Sequence, residues 1–145
     1  MFKSIFKNKK VLVTGHTGFK GSWLCAWLDH LGAEVVGLSD DVVSNPSNYL
    51  ASSISDFVKD YRVDIRDTAK VVSVIQETQP DFVFHLAAQA LVRPSYEDPI
   101  GTLTTNAIGT ANVLEALRFL DNKVVAVMIT SDKAYDNVEW VWGYR

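Results

Sequence analysis

The chain has 145 residues, of which 48% are hydrophobic and 21% charged, with a formal net charge of −3. This length suits one domain with a sizeable core. The charge balance argues against nucleic acid or an anionic membrane as partner. Residues 1–10 lack the apolar core of a signal peptide, and no apolar run is long enough to span a bilayer, so a cytoplasmic location is expected. Lys3, Lys7, Lys9 and Lys10 read as a solvated edge, because no basic stripe continues them. The lone Cys25 lies among Trp23, Leu24, Ala26 and Trp27 and is expected to be a buried, inert thiol.

Strand-like and helix-like segments alternate. Residues 10–14 are short and rich in valine, as a buried parallel strand should be. Residues 18–31 carry Trp23, Leu24, Trp27, Leu28 and Leu31 at helical spacing, and Gly32 suits the position after the helix end. Trp23 and Trp27 are expected in the core. Residues 34–38 form a second strand. Residues 39–56, rich in Ser, Asn and Asp, read as a long loop of the kind that carries function or mobility. A short third strand follows over 60–63. A helix spans 68–78, capped by Asp67 and stopped by Pro80. Strand four covers 81–86, a long helix runs over 100–120, and strand five occupies 123–130. The order predicts an α/β fold: a Rossmann-like, doubly wound parallel sheet with helices on both faces, truncated after strand five.

The segment Gly15-His16-Thr17-Gly18-Phe19-Lys20-Gly21 joins the first strand to the first helix. Three glycines allow a tight turn, close approach of a pyrophosphate, and close helix–strand packing; the helix N-terminus then favours the anion. The cofactor expected here is a dinucleotide. Ribose recognition calls for an acid at the end of strand two. Asp40 and Asp41 lie at that distance, although Ser39 occupies the strand end itself, and the two acids read either as ribose ligands or as solvated loop residues. No arginine follows them to meet a 2′-phosphate, which favours NAD over NADP.

Several segments resemble the extended short-chain dehydrogenases, and among them the CDP-glucose 4,6-dehydratases. They are Thr14-Gly15-His16-Thr17-Gly18-Phe19-Lys20-Gly21-Ser22-Trp23, His85-Leu86-Ala87-Ala88-Gln89, Thr105-Asn106 with Gly109-Thr110, Thr130-Ser131-Asp132-Lys133-Ala134-Tyr135-Asp136-Asn137, and Glu139-Trp140-Val141-Trp142-Gly143-Tyr144-Arg145. The glycine segment is shared by the superfamily, whereas Ser-Asp-Lys and the Trp-containing tail are specific to the dehydratases.

The resemblance implies NAD-dependent conversion of CDP-glucose to a 4-keto-6-deoxy sugar nucleotide. Hydride leaves C4, a base removes the C5 proton, an acid helps water leave C6, and hydride returns to C6. By the same resemblance Ser131 matches the hydroxyl that polarises O4, Asp132 the acid at C6, and Lys133 the position of the C5 base. Burial would lower the lysine's pKa and Asp132 would raise it, and the sequence leaves that balance open. On chemistry alone the segment also reads as a surface Asp-Lys turn.

The family's Tyr-x-x-x-Lys pair has no counterpart here, since neither Tyr135 nor Tyr144 has a lysine four positions on. The chain is therefore expected to be the incomplete NAD-binding part, residues 1–145, of a longer enzyme, holding part of a cofactor site without turnover. Further cofactor contacts implied are Asp64 and Ile65 near adenine, Leu86, Ala87, Ala88 and Gln89 beside the nicotinamide, and Thr105. Each has a plain structural alternative: a helix-approach or capping residue at Asp64, packing at 86–88, a helix hydroxyl at Thr105. His16, His30 and His85 lack metal-ligand spacing, so no metal is expected. The helix near 100–120 carries more apolar surface than one sheet-facing stripe needs, which predicts a homo-oligomer contact. Two other functions stay open: an epimerase or reductase on another sugar nucleotide, and a non-catalytic dinucleotide-binding module.

Overall fold

The computed structural model describes residues 4–42, 44–136 and 138–143. Lys3, the Lys133 side chain, Asn137, Tyr144 and Arg145, all named above, lie outside the described residues. Five parallel strands form one sheet: β1 (Lys10–Thr14), β2 (Glu34–Ser39), β3 (Lys59–Arg62), β4 (Phe82–His85) and β5 (Val125–Met128). Their order is β3-β2-β1-β4-β5. The chain winds outward from β1 to β3, then returns to the other side of β1 for β4. The crevice between the carboxyl ends of β1 and β4 is the switch point where such sheets bind ligands.

Alternation along β1 sends side chains to opposite faces. Val11 and Val13 join Val35, Cys25, Leu28, Tyr49, Ile54 and Val58 under α1 (Phe19–His30) and α2 (Asn48–Ala51). Leu12 joins Val36, Leu38, Val71, Ile75, Val83, Val113 and Ala116 under α3 (Thr68–Thr78) and α6 (Thr110–Leu117). The doubly wound expectation therefore holds for the five strands present. Cys25 is fully buried, and desolvation pushes its thiol up to about 12, as an inert core sulfur requires.

Three local expectations are corrected. The segment after β2 is not a bare loop: it holds α2, capped by Ser47, whose hydroxyl oxygen accepts from the Leu50 amide, and a 3₁₀ turn at Ile54–Asp56. Trp23 and Trp27 are not core residues; they are 57% and 49% exposed. Helix α1 crosses β1 so closely that only Gly21, Ser22, Cys25 and Leu28 fit beneath it, and the two tryptophans fall on its outer side. The helix expected over 100–120 is preceded by α4 (Val92–Glu97) and begins as α5 (Pro99–Leu103), with Asp98 capping the Gly101 amide. It continues through a π-helical turn, Thr104–Gly109, into α6. At Gly109 a Cβ would stand 2.6 Å from Ile65 Cδ1, so the helix lies close against the loop after β3.

Among the described residues, no helix is long and apolar enough to cross a membrane, and no group of three His, Cys, Asp or Glu could hold a metal ion.

Candidate functional site

The predicted site residues gather at the carboxyl edge of the sheet. β1 ends at Thr14 and Gly15, β2 at Ser39 and Asp40, β3 leads to Asp64 and Ile65, and β4 to Leu86–Gln89. The Ile129 amide donates to the His85 carbonyl at 3.1 Å, which carries the chain after β5 toward Ser131 and Asp132 beside the end of β4.

The three glycines of the turn do different jobs. Gly15 has φ +71°, and a Cβ on it would meet the Ala87 amide nitrogen at 2.8 Å. Its lack of a side chain lets the turn touch the end of β4. A Cβ on Gly21 would overlap the Gly15 carbonyl, so this glycine sets the distance between α1 and β1. Gly18 is unlike both. Its φ of −71° suits any residue, and a Cβ there would meet only the Gly15 oxygen, at 3.3 Å. Gly18 leaves room in front of a helix start that has no side-chain cap and no acid in its first turn. Open space, unopposed backbone donors and the helix dipole are what a pyrophosphate needs, and these residues fit one.

Around this cradle, Phe19 and Lys20 open α1 and are exposed, Phe19 at 72%. Thr17 is buried. Its hydroxyl donates to the Asp41 carbonyl at 2.6 Å and shares a 2.8 Å bond with Ser39 Oγ, tying the turn to the end of β2. Asp40 is exposed just beyond β2, where its Oδ1 accepts from the Asp41 amide. Asp64 is not a helix cap. It pairs with Arg66, which holds its carboxyl below the usual range, while Asp67 caps α3. Ile65 turns its side chain into the core, and its carbonyl accepts from Asn112 Nδ2 at 3.0 Å. Leu86 and Ala87 line the edge half-buried, Ala88 is exposed, and Thr105 sits half-buried in the π-helical turn. Gln89 stabilises its own loop: its backbone amide and carbonyl both bond the Asn106 side chain, and its side chain bonds the Leu91 backbone. Ser131 Oγ donates to Asp132 Oδ1 at 3.3 Å at the start of a 3₁₀ turn, Asp132–Ala134.

The sequence reading missed a buried polar chain under this edge. Thr14 Oγ1 accepts from the Leu86 and Ala87 amides at 3.2 and 3.1 Å. With its acceptor capacity used, its proton goes to His85 Nδ1, 2.7 Å away. His85 is then the Nε2–H tautomer, donating to Thr110 Oγ1 at 2.8 Å, and Thr110 donates to the Asn106 carbonyl. One imidazole thus fixes β1, β4 and the long helix together, directly below Ala87. Burial holds its pKa below the usual value. His16 is a second buried imidazole, lying across Gly37, where a Cβ would overlap its ring. Its Nε2 is 3.0 Å from Asp60 Oδ1 without hydrogen-bond alignment, and burial outweighs Asp60 in setting its pKa low.

Residues 12–141 match the family model described as GDP-mannose 4,6 dehydratase. The chain belongs to that family. Within the wider group of relatives, it is 50% identical over 143 residues to a CDP-glucose 4,6-dehydratase of Salmonella typhimurium, covering 99% of this chain and 40% of that protein. A GDP-mannose 4,6-dehydratase of Vibrio cholerae is 36% identical, over 78% of this chain and 32% of its own length. The crystal structure of a UDP-glucose-4-epimerase from Stenotrophomonas maltophila, with bound NAD and formylated UDP-arabinopyranose, superimposes with a TM-score of 0.79 at 28% identity. That match covers 92% of this chain and 40% of the epimerase. This member of the dehydratase family thus spans about 40% of the length of its first curated relative.

Proposed function

We propose that this chain is the NAD-binding part of a CDP-glucose 4,6-dehydratase, a lyase that forms a 4-keto-6-deoxy sugar nucleotide in the cytoplasm. The observation that carries the reading is the 50% identity to a CDP-glucose 4,6-dehydratase over 99% of the chain. The cofactor assignment is supported by the open Gly18 cradle and by Asp40 at the ribose end. In this reading the amides around Gly18–Gly21 and the start of α1 hold the pyrophosphate, Asp40 the ribose, Asp64 and the Ile65 backbone the adenine side, and 86–89 with Thr105 the nicotinamide side. NAD supplies reversible oxidation at C4. Ser131 polarises O4, Asp132 serves C6, and Lys133 serves C5.

The test is a longer chain carrying this sequence together with the remaining length of its relatives, incubated with CDP-glucose, GDP-mannose or UDP-glucose. A 4-keto-6-deoxy product from CDP-glucose is expected. Epimerised UDP-sugar, or product from GDP-mannose alone, would overturn the substrate assignment.

The outer stripe of α5 and α6 supports self-association: Ile100, Leu103 and Leu114 are all exposed along it, opposite the buried Asn112, Val113 and Ala116. We infer a homodimer through this stripe. Leu103→Lys is expected to convert the dimer to monomer in sedimentation at micromolar concentration; a wild-type chain that sediments as a monomer would refute the interface.

A further inference from the structure

No arginine follows β2 in sequence, yet the sheet register brings two arginines to its end. Arg62 is the β3 partner of Ser39, and the Val63 amide donates to the Ser39 carbonyl at 3.0 Å. Residues 63–66 therefore run on beside Asp40 and Asp41. Asn112 fixes this stretch from α6, its Nδ2 donating to the carbonyls of Ile65 at 3.0 Å and Arg66 at 3.2 Å.

Each arginine is held by an aspartate two residues before it. Arg62 donates through Nε and Nη2 to Asp60 Oδ2, at 3.0 and 2.7 Å, and through Nη2 to the Tyr49 hydroxyl at 3.0 Å. Its guanidinium is drawn down over the Tyr49 ring, 5.2 Å from the centroid. Arg66 makes a two-pronged pair with Asp64: Nε to Oδ2 at 2.8 Å and Nη2 to Oδ2 at 2.6 Å, with Nε also 3.0 Å from Oδ1. The Asp64 pair holds the Arg66 guanidinium above its ordinary range, with smaller contributions from Asp40 and Asp98. The rim where a ribose would lie thus presents Asp40, Asp41 and Asp64, while both nearby guanidiniums already have carboxylate partners.

We propose that Asp64 sets cofactor choice by keeping Arg66 paired, so that the rim stays acidic and a 2′-phosphate finds no free guanidinium. This rests on the reading of the Gly18 turn as a dinucleotide site and specifies its ribose end. A phosphate and a carboxylate compete for the same fork of N–H donors. Asp64 wins that competition because it lies two residues away on a backbone that Asn112 holds still. Arg62 is not equivalent, since Asp60 and Tyr49 draw it onto the α2 face.

The experiment compares 5′-AMP with adenosine 2′,5′-bisphosphate, which differ only in the 2′-phosphate, by NMR titration of the chain. The native protein is expected to prefer 5′-AMP. Asp64→Asn keeps an acceptor for the Arg66 amide but loses the charge, and it should raise bisphosphate affinity relative to 5′-AMP by about tenfold, the size of one charge-assisted hydrogen bond. Arg66→Ala alone should not raise the ratio, since it leaves the Asp64 carboxylate unpaired, and Asp64→Asn with Arg66→Ala should abolish the gain. Asp64→Ser provides a second route to the same release should the Asn variant fold poorly, which circular dichroism reports. An unchanged ratio in the Asp64 variants, or a gain that survives loss of Arg66, overturns the proposal while leaving the nucleotide site standing. A native chain that binds neither probe nor NAD overturns the nucleotide reading and this inference with it.

Discussion

Gly21→Ala is expected to destabilise the chain by about 3 kcal/mol, whereas Gly18→Ala, three residues earlier, should change stability by less than about 1 kcal/mol. The difference lies in what each new methyl meets. At Gly21 the nearest atoms are the Gly15 carbonyl and the His16 Cα, all backbone, so α1 must lift away from β1. The move would open the packing of Cys25 and Leu28, which are fully buried beneath the helix. Alanine's better helix propensity, worth about 1 kcal/mol, offsets only part of this cost. At Gly18 the methyl meets one oxygen at 3.3 Å and the backbone is already in a region alanine adopts. The cost there falls on ligand approach, and nucleotide affinity should drop about tenfold or more. Urea titration of both variants and calorimetric titration of NAD measure the two effects. Equal destabilisation by both substitutions, or unchanged affinity in Gly18→Ala, would show that the glycines do not divide their work in this way.

The strands and the glycine turn were legible because their signals are local. Valine-rich runs give buried strands, and Asp67 three residues before the Lys70 amide gives the start of α3. The tryptophans of α1 misled because helical spacing of apolar residues locates a stripe without saying which stripe faces the sheet. Here the small residues of α1 mark the buried face, and Gly21 was the available clue. The arginines at the ribose end were invisible for a different reason: Arg62 reaches Ser39 through strand register, across 23 residues of sequence. The His85 chain likewise joins Thr14, His85 and Thr110, which nothing in the sequence brings together. Asn112 left a faint trace, a poor helix former in the middle of a helix, whose side chain donates to the Ile65 and Arg66 carbonyls after β3 and accepts from the Thr68 hydroxyl at the start of α3.

Stability is expected to fall as the pH drops from 7.5 to 5.5, well before any paired carboxylate titrates. The cause is the two buried imidazoles, both with pKa values lowered by burial from 6.5. Well above pH 6.5 they are neutral whether the chain is folded or not, so their contribution is fully present. As pH falls through 6.5 the unfolded chain takes up protons that the folded chain refuses, and each histidine removes about 1.4 kcal/mol per pH unit until its folded pKa is reached. His85 should contribute more than His16. Protonating His85 at Nδ1 would set its new N–H against the Thr14 hydroxyl proton, and Thr14 Oγ1 already accepts from the Leu86 and Ala87 amides, so a third donor would have to displace one of them. His16 has Asp60 beside it, which opposes the desolvation and reduces its share. The carboxylates act in another window. Asp64, Asp67, Glu77 and Asp81 are held low by their partners from 3.8 or 4.5, so the stability they add is present above those values and is lost only below them. Urea midpoints measured every half unit from pH 7.5 to 5.5 isolate the histidines. His85→Gln should be less stable at pH 7.5 and show a shallower slope on acidification. A native chain with a flat profile over this range would mean that His85 is not held neutral by the Thr14–Thr110 chain.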